Sequence, residues 1–182
     1  MLEHYSIEPQ VIWLTGLSGA GKSTIAQALA KALKDRNLQT YILDGDVLRT
    51  GLNQDLGFSE GDRIENIRRT AHVAKLMVDA NLIVIAALIS PYARDRSSAR
   101  ALFKEGQFVE VFISTPVELC IQRDPKGLYA KALRGEIKGF TGIDAPYEAP
   151  TKPELTLHTK GRTAEELVDE VLEYLIKSRS KS

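Results

Sequence analysis

Val11-Ile12-Trp13-Leu14-Thr15-Gly16-Leu17-Ser18-Gly19-Ala20-Gly21-Lys22-Ser23 is the stretch on which the fold turns: an apolar run, a glycine-rich turn, then Lys-Ser opening a helix-like segment. Gly16 to Ser23 spell G-x-x-x-x-G-K-[ST], a complete phosphate loop in the strand-to-helix setting that such a loop requires. The glycines let successive backbone N–H groups turn inward onto phosphate oxygens. The Lys22 ammonium can reach the β and γ phosphates, and the Ser23 hydroxyl can ligate Mg²⁺. Gly16, Leu17, Ser18, Gly19, Ala20, Gly21, Lys22, Ser23 and Thr24 are therefore the expected contacts for a nucleoside triphosphate such as ATP. The plain alternative, a flexible turn joining strand to helix, does not account for the full set of residue types. The motif names the nucleotide and leaves the reaction open.

Outward from this loop, apolar β-branched runs at 11–15, 40–43, 82–89, 109–114 and 155–158 alternate with helix-period segments at 22–36, 62–80, 93–104, 117–123 and 164–177. That alternation predicts an α/β architecture, with a central parallel sheet covered by helices on both faces. The near-continuous apolar run Leu82 to Ile89 suits a strand buried on both sides. Ligands in such folds bind beyond the carboxyl ends of the strands, which singles out Gly16, Asp44, Ser90, Thr115 and Thr159.

With 182 residues the chain suits one domain, read here as 1–182 with an N-terminal extension over 1–10 and a frayed tail over 178–182. Lys plus Arg and Asp plus Glu each number 24, so net charge makes no case for nucleic acid or an anionic membrane as partner, and a small ligand is expected. A single cysteine, Cys120, excludes an intramolecular disulfide and a multi-cysteine zinc site, and fits a reducing compartment. The first ten residues lack a signal-peptide apolar stretch, and 82–89 is too short to span a bilayer, so the reading is cytoplasmic.

A second phosphate-handling layer follows the second strand. Asp44-Gly45-Asp46 with Arg49 places two carboxylates and a guanidinium at a strand tip facing the loop, where a phosphoryl acceptor should sit. One aspartate could take the proton of an attacking hydroxyl or organise Mg²⁺, while Arg49 forks onto an anionic group. The bland alternative is a turn capping a helix at Asp46. Ser90-Pro91-Tyr92 ends the third strand where many phosphate-loop proteins carry a magnesium-organising aspartate, which shifts that role to Asp44 or Asp46. Ser90 itself reads as a helix N-cap, a hydrogen-bond donor to phosphate, or a nucleophile.

Between these tips, Arg63, Asn66 and Thr70 share one polar face of a helix whose apolar face carries Ile64, Ile67, Ala71, Ala74 and Val78. From residue 124 to 153 the chain is irregular and carries Lys126, Lys131, Arg134, Lys138 and several glycines, the composition of a mobile basic lid. Phe58 and Phe140, each beside a glycine, could sandwich an adenine.

Taken together, the Gly16–Ser23 loop, Leu43-Asp44-Gly45-Asp46 with Arg49, Gly57-Phe58-Ser59, Asp62 to Arg69, Ile89-Ser90-Pro91-Tyr92, Asp124 to Tyr129 and Lys138 to Asp144 resemble adenylylsulfate kinases over almost the whole chain. The resemblance implies a three-layer α/β nucleotide-kinase fold, phosphoryl transfer from ATP to adenosine 5'-phosphosulfate, a need for Mg²⁺, and homodimers. It also brings functional coupling to an ATP sulfurylase as a partner to consider. It implies Lys22, Asp44 and Ser90 as catalytic, Ser23 and Asp44 at the metal, and a phosphoserine proposed for the position of Ser90. Phe58 and Phe140 would sandwich the acceptor adenine, with Arg49, Arg63 and Asn66 on its phosphosulfate and neighbouring groups. Asp46, Ile67, Ile89, Ser90, Lys126 and Gly139 would also approach the acceptor, and Arg123 would stack on the ATP adenine. Leu157-His158-Thr159-Lys160-Gly161 departs from the family's usual aspartate-threonine wording, so donor-base contacts are not carried over there. Two other functions stay open at this point: another phosphate-loop kinase for a nucleotide or sugar acid, and a catalytically silent domain that senses the phosphorylated product.

Overall fold

Strands that alternate with helices can pair only through crossovers, and the resulting sheet is parallel throughout. The computed structural model describes residues 7–178. Its strands are β1 (Val11–Thr15), β2 (Thr40–Asp44), β3 (Ile83–Ala87), β4 (Phe108–Ser114) and β5 (Leu155–His158), in the order β2-β3-β1-β4-β5. The helices are α1 (Lys22–Lys34), α2 (Gly45–Leu48), α3 (Glu60–Asp79), α4 (Ala93–Arg100), α5 (Val117–Arg123), α6 (Leu128–Leu133) and α7 (Ala164–Lys177).

The strand carrying the phosphate loop therefore sits at the centre, with Val11 opposite Val84 on one side and Phe108 on the other. All five residues of β1 and all five of β3 are buried, which is why neither shows a polar alternation. Side-chain alternation divides the sheet's faces: Ile12, Leu14 and Ile85 pack with α1 and α7, whereas Val11, Trp13, Val84 and Ala86 pack with α3. The apolar stripe Ile67, Ala71, Ala74, Val78 brings α3 close to the sheet through its small residues. Burying each large aliphatic side chain of these layers, such as Leu29 or Leu33, contributes about 1.5–3 kcal/mol.

Most boundaries lie within a few residues of those expected, and each shift has a local cause. The helix expected from 62 begins at Glu60 because the Ser59 hydroxyl accepts from the Asp62 amide. Asn37, with φ 61, stops the chain short of a helix reaching 36. The third strand leaves the sheet after Ala87, so Leu88 to Ser90 form a wall above it. Two short helices lie outside the helix-period segments, α2 where a capped helix was the alternative reading and α6 unannounced: at 4 and 6 residues they are too short to display a helical period. Ile7 lies in the main core, so the described part of the expected 1–10 extension is packed down, whereas 1–6 lie outside the described residues. Most of the expected tail, 179–182, also lies outside them. Among the described residues no helix is long and apolar enough to cross a membrane.

Candidate active site

The phosphate loop is held by close packing and by a threonine pair. A Cβ on Gly16 would lie 2.8 Å from the Ile113 carbonyl oxygen, so the loop leaves β1 pressed against β4. Gly21 caps α1 at φ 108 without a side-chain partner, leaving the N-terminal amides of the helix facing open space. Thr115 at the tip of β4 donates to the Ala20 carbonyl (2.8 Å) and meets the Thr159 hydroxyl at 2.6 Å, tying the loop to the tips of β4 and β5. Tyr129 of α6 donates to the Ser18 carbonyl at 2.8 Å. Lys22 donates to the carbonyls of Gly16 (2.9 Å) and Leu17 (2.7 Å), and burial pulls its ammonium down to about 8.

Across the cleft, Asp44 does two jobs. One oxygen accepts from the Ser23 hydroxyl at 2.7 Å, and the other caps α2 by accepting from the Asp46 amide at 2.9 Å. The helix cap that the alternative reading put at Asp46 is therefore at Asp44, and the Asp46 carboxylate is left to pair with Lys126 of the overlying segment. Ser23 and Asp44 thus present a hydroxyl and a carboxylate oxygen side by side beneath the loop, a donor set of hard oxygens that fits Mg²⁺.

The neighbouring wall is cationic. Arg49 lies over the Phe58 ring at 4.3 Å and donates to the Gly57 carbonyl at 2.9 Å. Arg63 donates to the Phe58 carbonyl (2.9 Å), the Thr141 hydroxyl (2.6 Å) and the Gly139 carbonyl (2.5 Å). Burial, then the Arg63 cation, lower the pKa of Arg49, as expected of two guanidiniums sharing a wall suited to an anion. Asn66 accepts from buried Asn53 at 2.9 Å. Thr70 does not reach the wall; its hydroxyl is turned back onto the Asn66 carbonyl at 2.7 Å. Farther along α3, Glu65 pairs with Arg68 and Arg69, so that part of the helix is a solvated charged face.

Ser90 is 2 % exposed, and its oxygen accepts from the Trp13 indole at 3.1 Å. It does not cap α4, whose N-cap is Tyr92 without a side-chain bond, so one of its three readings falls away. Phe140 is buried edge-on to Tyr129 at 4.9 Å, while Phe58 is 69 % exposed. Asp144 organises the turn beneath Phe140 by accepting from the Gly139 and Phe140 amides.

The phosphate loop, the Asp44–Asp46 tip and the Arg49–Arg63 wall open into one cavity of about 920 Å³. It is lined by Ser18 through Thr24, by Asp44, Asp46, Arg49, Phe58, Arg63, Asn66 and Ile67, and by Ile89, Ser90, Arg123, Lys126, Gly139 and Phe140. The sequence profile described as adenylylsulphate kinase matches residues 8–158. The chain belongs to that family. Adenylyl-sulfate kinase of Marinobacter nauticus is 56% identical over 92% of this chain and 84% of its own length. The bifunctional enzyme NodQ of Rhizobium sp. (strain N33) is 61% identical over 94% of this chain, which spans 26% of NodQ. Among solved structures, the Mycobacterium tuberculosis APS kinase CysC in complex with AMPPNP and APS superposes with a TM-score of 0.89 at 48% identity, covering 93% of this chain and 99% of that one.

In this adenylylsulphate kinase family member, two of the expected site residues stay outside the cavity lining. Gly16 is packed against β4, and the Leu17 side chain turns into the core, so both can act only through their backbone. The expected cluster of lid cations is thinner than its sequence: Lys126 and Lys138 line the cavity, whereas Lys131 does not and Arg134 pairs with Glu136. Thr159, singled out by its place after a strand, lines it, as do Thr141 and Arg162, neither of which was assigned a role from sequence. Arg162 had a usable signal, since Thr163-x-x-Glu166 is a capping box that places it at the mouth of α7. Cys120 is buried as packing, and His158 is exposed at a strand end.

Proposed function

We propose that the chain transfers the γ-phosphoryl group of Mg-ATP to the 3'-hydroxyl of adenosine 5'-phosphosulfate, giving ADP and 3'-phosphoadenosine 5'-phosphosulfate. The observation that carries this reading is a single cavity lined both by a complete phosphate loop and by an Arg49–Arg63–Phe58–Phe140 wall. A donor and a base-bearing anionic acceptor can thus meet in one space.

In the proposed mechanism the loop amides and Lys22 hold the β and γ phosphates, and Arg123 packs on the donor adenine. Phe58 and Phe140 stack on the acceptor base, while Arg49, Arg63 and Asn66 orient its phosphosulfate and neighbouring groups. Ile67, Ile89 and Gly139 shape that pocket, and Asp46 with Lys126 closes its edge. The acceptor oxygen forms its bond to the γ phosphorus as the bond to the β-bridging oxygen breaks and ADP leaves, and the hydroxyl proton passes to the Asp44 carboxylate. Ser23 and Asp44 would hold Mg²⁺, which supplies neutralisation of the charge on the transferring group. Lys22 follows that charge. The burial of Ser90 and its bond from Trp13 favour direct in-line transfer, with Ser90 as a fixed wall residue rather than a carrier.

The reading extends to one domain over 1–182, a lid and its following loop over 124–153, the lid closing to exclude water, a homodimer in the cytoplasm, and substrate supply coupled to an ATP sulfurylase. Family resemblance supports these parts. The deciding experiment is acceptor-dependent ADP release from Mg-ATP with adenosine 5'-phosphosulfate, AMP, shikimate or gluconate, with products identified by mass. The phosphorylated product with the first acceptor alone is the expected result. Turnover with shikimate or gluconate would point to another small-molecule kinase. No turnover despite binding of adenosine 5'-phosphosulfate would leave a silent sensor.

A further inference from the structure

Behind the acceptor wall, on the side away from the cavity, lies a buried charged fork that the mechanism above does not use. Arg96 of α4 is 3 % exposed, and its three donors go to three different parts of the fold. Nε donates to Glu110 of β4 (2.8 Å), Nη1 to the Ser90 carbonyl (2.7 Å) and Nη2 to the Glu148 carbonyl (2.6 Å). Glu110 in turn accepts from Arg100 at 3.2 Å, and Arg100 is bidentate on Glu154 at 2.7 and 2.8 Å. Buried ion pairs stabilise little relative to apolar packing, so placing these charges beneath the sheet points to geometry rather than stability as their contribution.

The geometry at stake is that of Ser90. Its φ of 42 lies in the left-handed region, a strained conformation for a residue with a Cβ, which persists only where neighbours over-determine it. The segment returning from the proposed lid, residues 145–150, is stitched to the same strand tip. The Glu148 amide donates to the Pro91 carbonyl (2.8 Å), and the Ala93 amide donates to the Glu148 carboxylate (2.7 Å). The Tyr147 hydroxyl meets Thr15 at 2.9 Å, and Thr15 donates to the Ile89 carbonyl at 2.7 Å. Arg96 stands where tip and arm cross, holding one carbonyl of each.

We propose that Arg96 is a positioning residue for the acceptor: it locks the Ile89–Ser90 wall in register with the segment that carries Gly139 and Phe140. This rests on the phosphotransfer reading, in which those residues form the acceptor pocket. A lysine keeps the charge for Glu110 but cannot reach three acceptors in a planar fork. The test is calorimetric binding of adenosine 5'-phosphosulfate and, separately, of AMPPNP to the wild type, Arg96→Lys and Glu148→Ala, with thermal denaturation of each. Glu148 is an exposed side chain, so its alanine variant removes one stitch without disturbing the buried pair. Arg96→Lys is expected to weaken acceptor binding by about tenfold or more and Glu148→Ala by about threefold, with AMPPNP affinity held within about twofold.

Folded variants with unchanged acceptor affinity, or with acceptor and nucleotide weakened equally, would overturn the proposal and leave Arg96 as scaffold. Should Arg96→Lys not fold, Glu148→Ala decides by the same comparison. If the wild type binds no adenosine 5'-phosphosulfate, the phosphotransfer reading itself fails, and the proposal with it.

Discussion

Raising the pH from 7.5 to 9.5 should weaken ATP binding in the absence of acceptor by about 25-fold, close to 1.9 kcal/mol. The reasoning starts at Lys22, whose ammonium is pulled down to about 8 by burial beside its own loop. In the free protein its protonated fraction falls from about 0.76 to about 0.03 across that interval, and the triphosphate binds the ammonium form. Nucleotide phosphates keep the proton on Lys22 in the complex, so binding takes up a proton above pH 8 and affinity drops with each further unit. Stability runs the other way. Between about 8 and the ordinary lysine value of 10.5 the unfolded chain holds more protons than the folded one, so the cost of burying this ammonium, complete below pH 8, is relieved as pH rises. Unfolding caused by Lys22 therefore cannot mimic the loss of affinity. Isothermal titration of Mg-ATP in two buffers of different ionisation enthalpy reads both the affinity and the proton uptake. A flat profile over the interval would refute the reasoning, as would the same slope in Lys22→Met.

The two phenylalanines should separate stability from binding. Phe58→Ala, on a ring that is 69 % exposed, should leave Tm nearly unchanged and raise the acceptor KM; unchanged acceptor kinetics would remove it from the pocket. Phe140→Ala loses a buried ring packed on Tyr129, so about 3 kcal/mol of stability should go together with acceptor affinity, measured by denaturant unfolding and titration. Gly16→Ala drives a methyl to 2.8 Å from the Ile113 carbonyl, which should cost about 1–3 kcal/mol and weaken ATP binding. A Gly16→Ala protein with native Tm and affinity would show that the loop does not need its close approach. Ser90→Ala should retain turnover while losing about 1–3 kcal/mol through the unpaired Trp13 indole. Detection of phosphoserine at this position after incubation with ATP alone would contradict direct transfer.

Much of this fold was legible because its signals are local and repeated. Val11–Thr15 leads into a loop whose residue types are fixed by phosphate geometry, and β2, β4 and β5 end in the polar residues Asp44, Ser114 and His158 at the same edge of the sheet. The order of strands was less legible: β1 lies between β3 and β4 because of crossover packing, which no single stretch encodes. In the site, Arg49, Phe58, Arg63 and Phe140 stand out as residue types that serve an anion and a base. Asn53 and Arg96 do not, because their significance lies in which distant atoms they reach: the Asn66 amide for one, the Ser90 and Glu148 carbonyls for the other. Thr159 was marked by its place after a strand, but its bond to Thr115 joins residues 44 positions apart and exists only once β4 and β5 pair.

The central place of β1 separates the two kinds of recognition along the chain. The tips of β2 and β3, with the 45–69 segment between them, supply most of the wall assigned to the acceptor, while the tips of β4 and β5, with Arg123 and Arg162, line the part of the cavity left to the nucleotide in the proposed mechanism. A change of acceptor can therefore be concentrated in the 45–69 segment, provided that the 138–144 turn bonded to Arg63 changes with it. The fold is in this sense modular about its middle strand, and a chimera exchanging 45–69 together with 138–144 is the unit of retooling it offers.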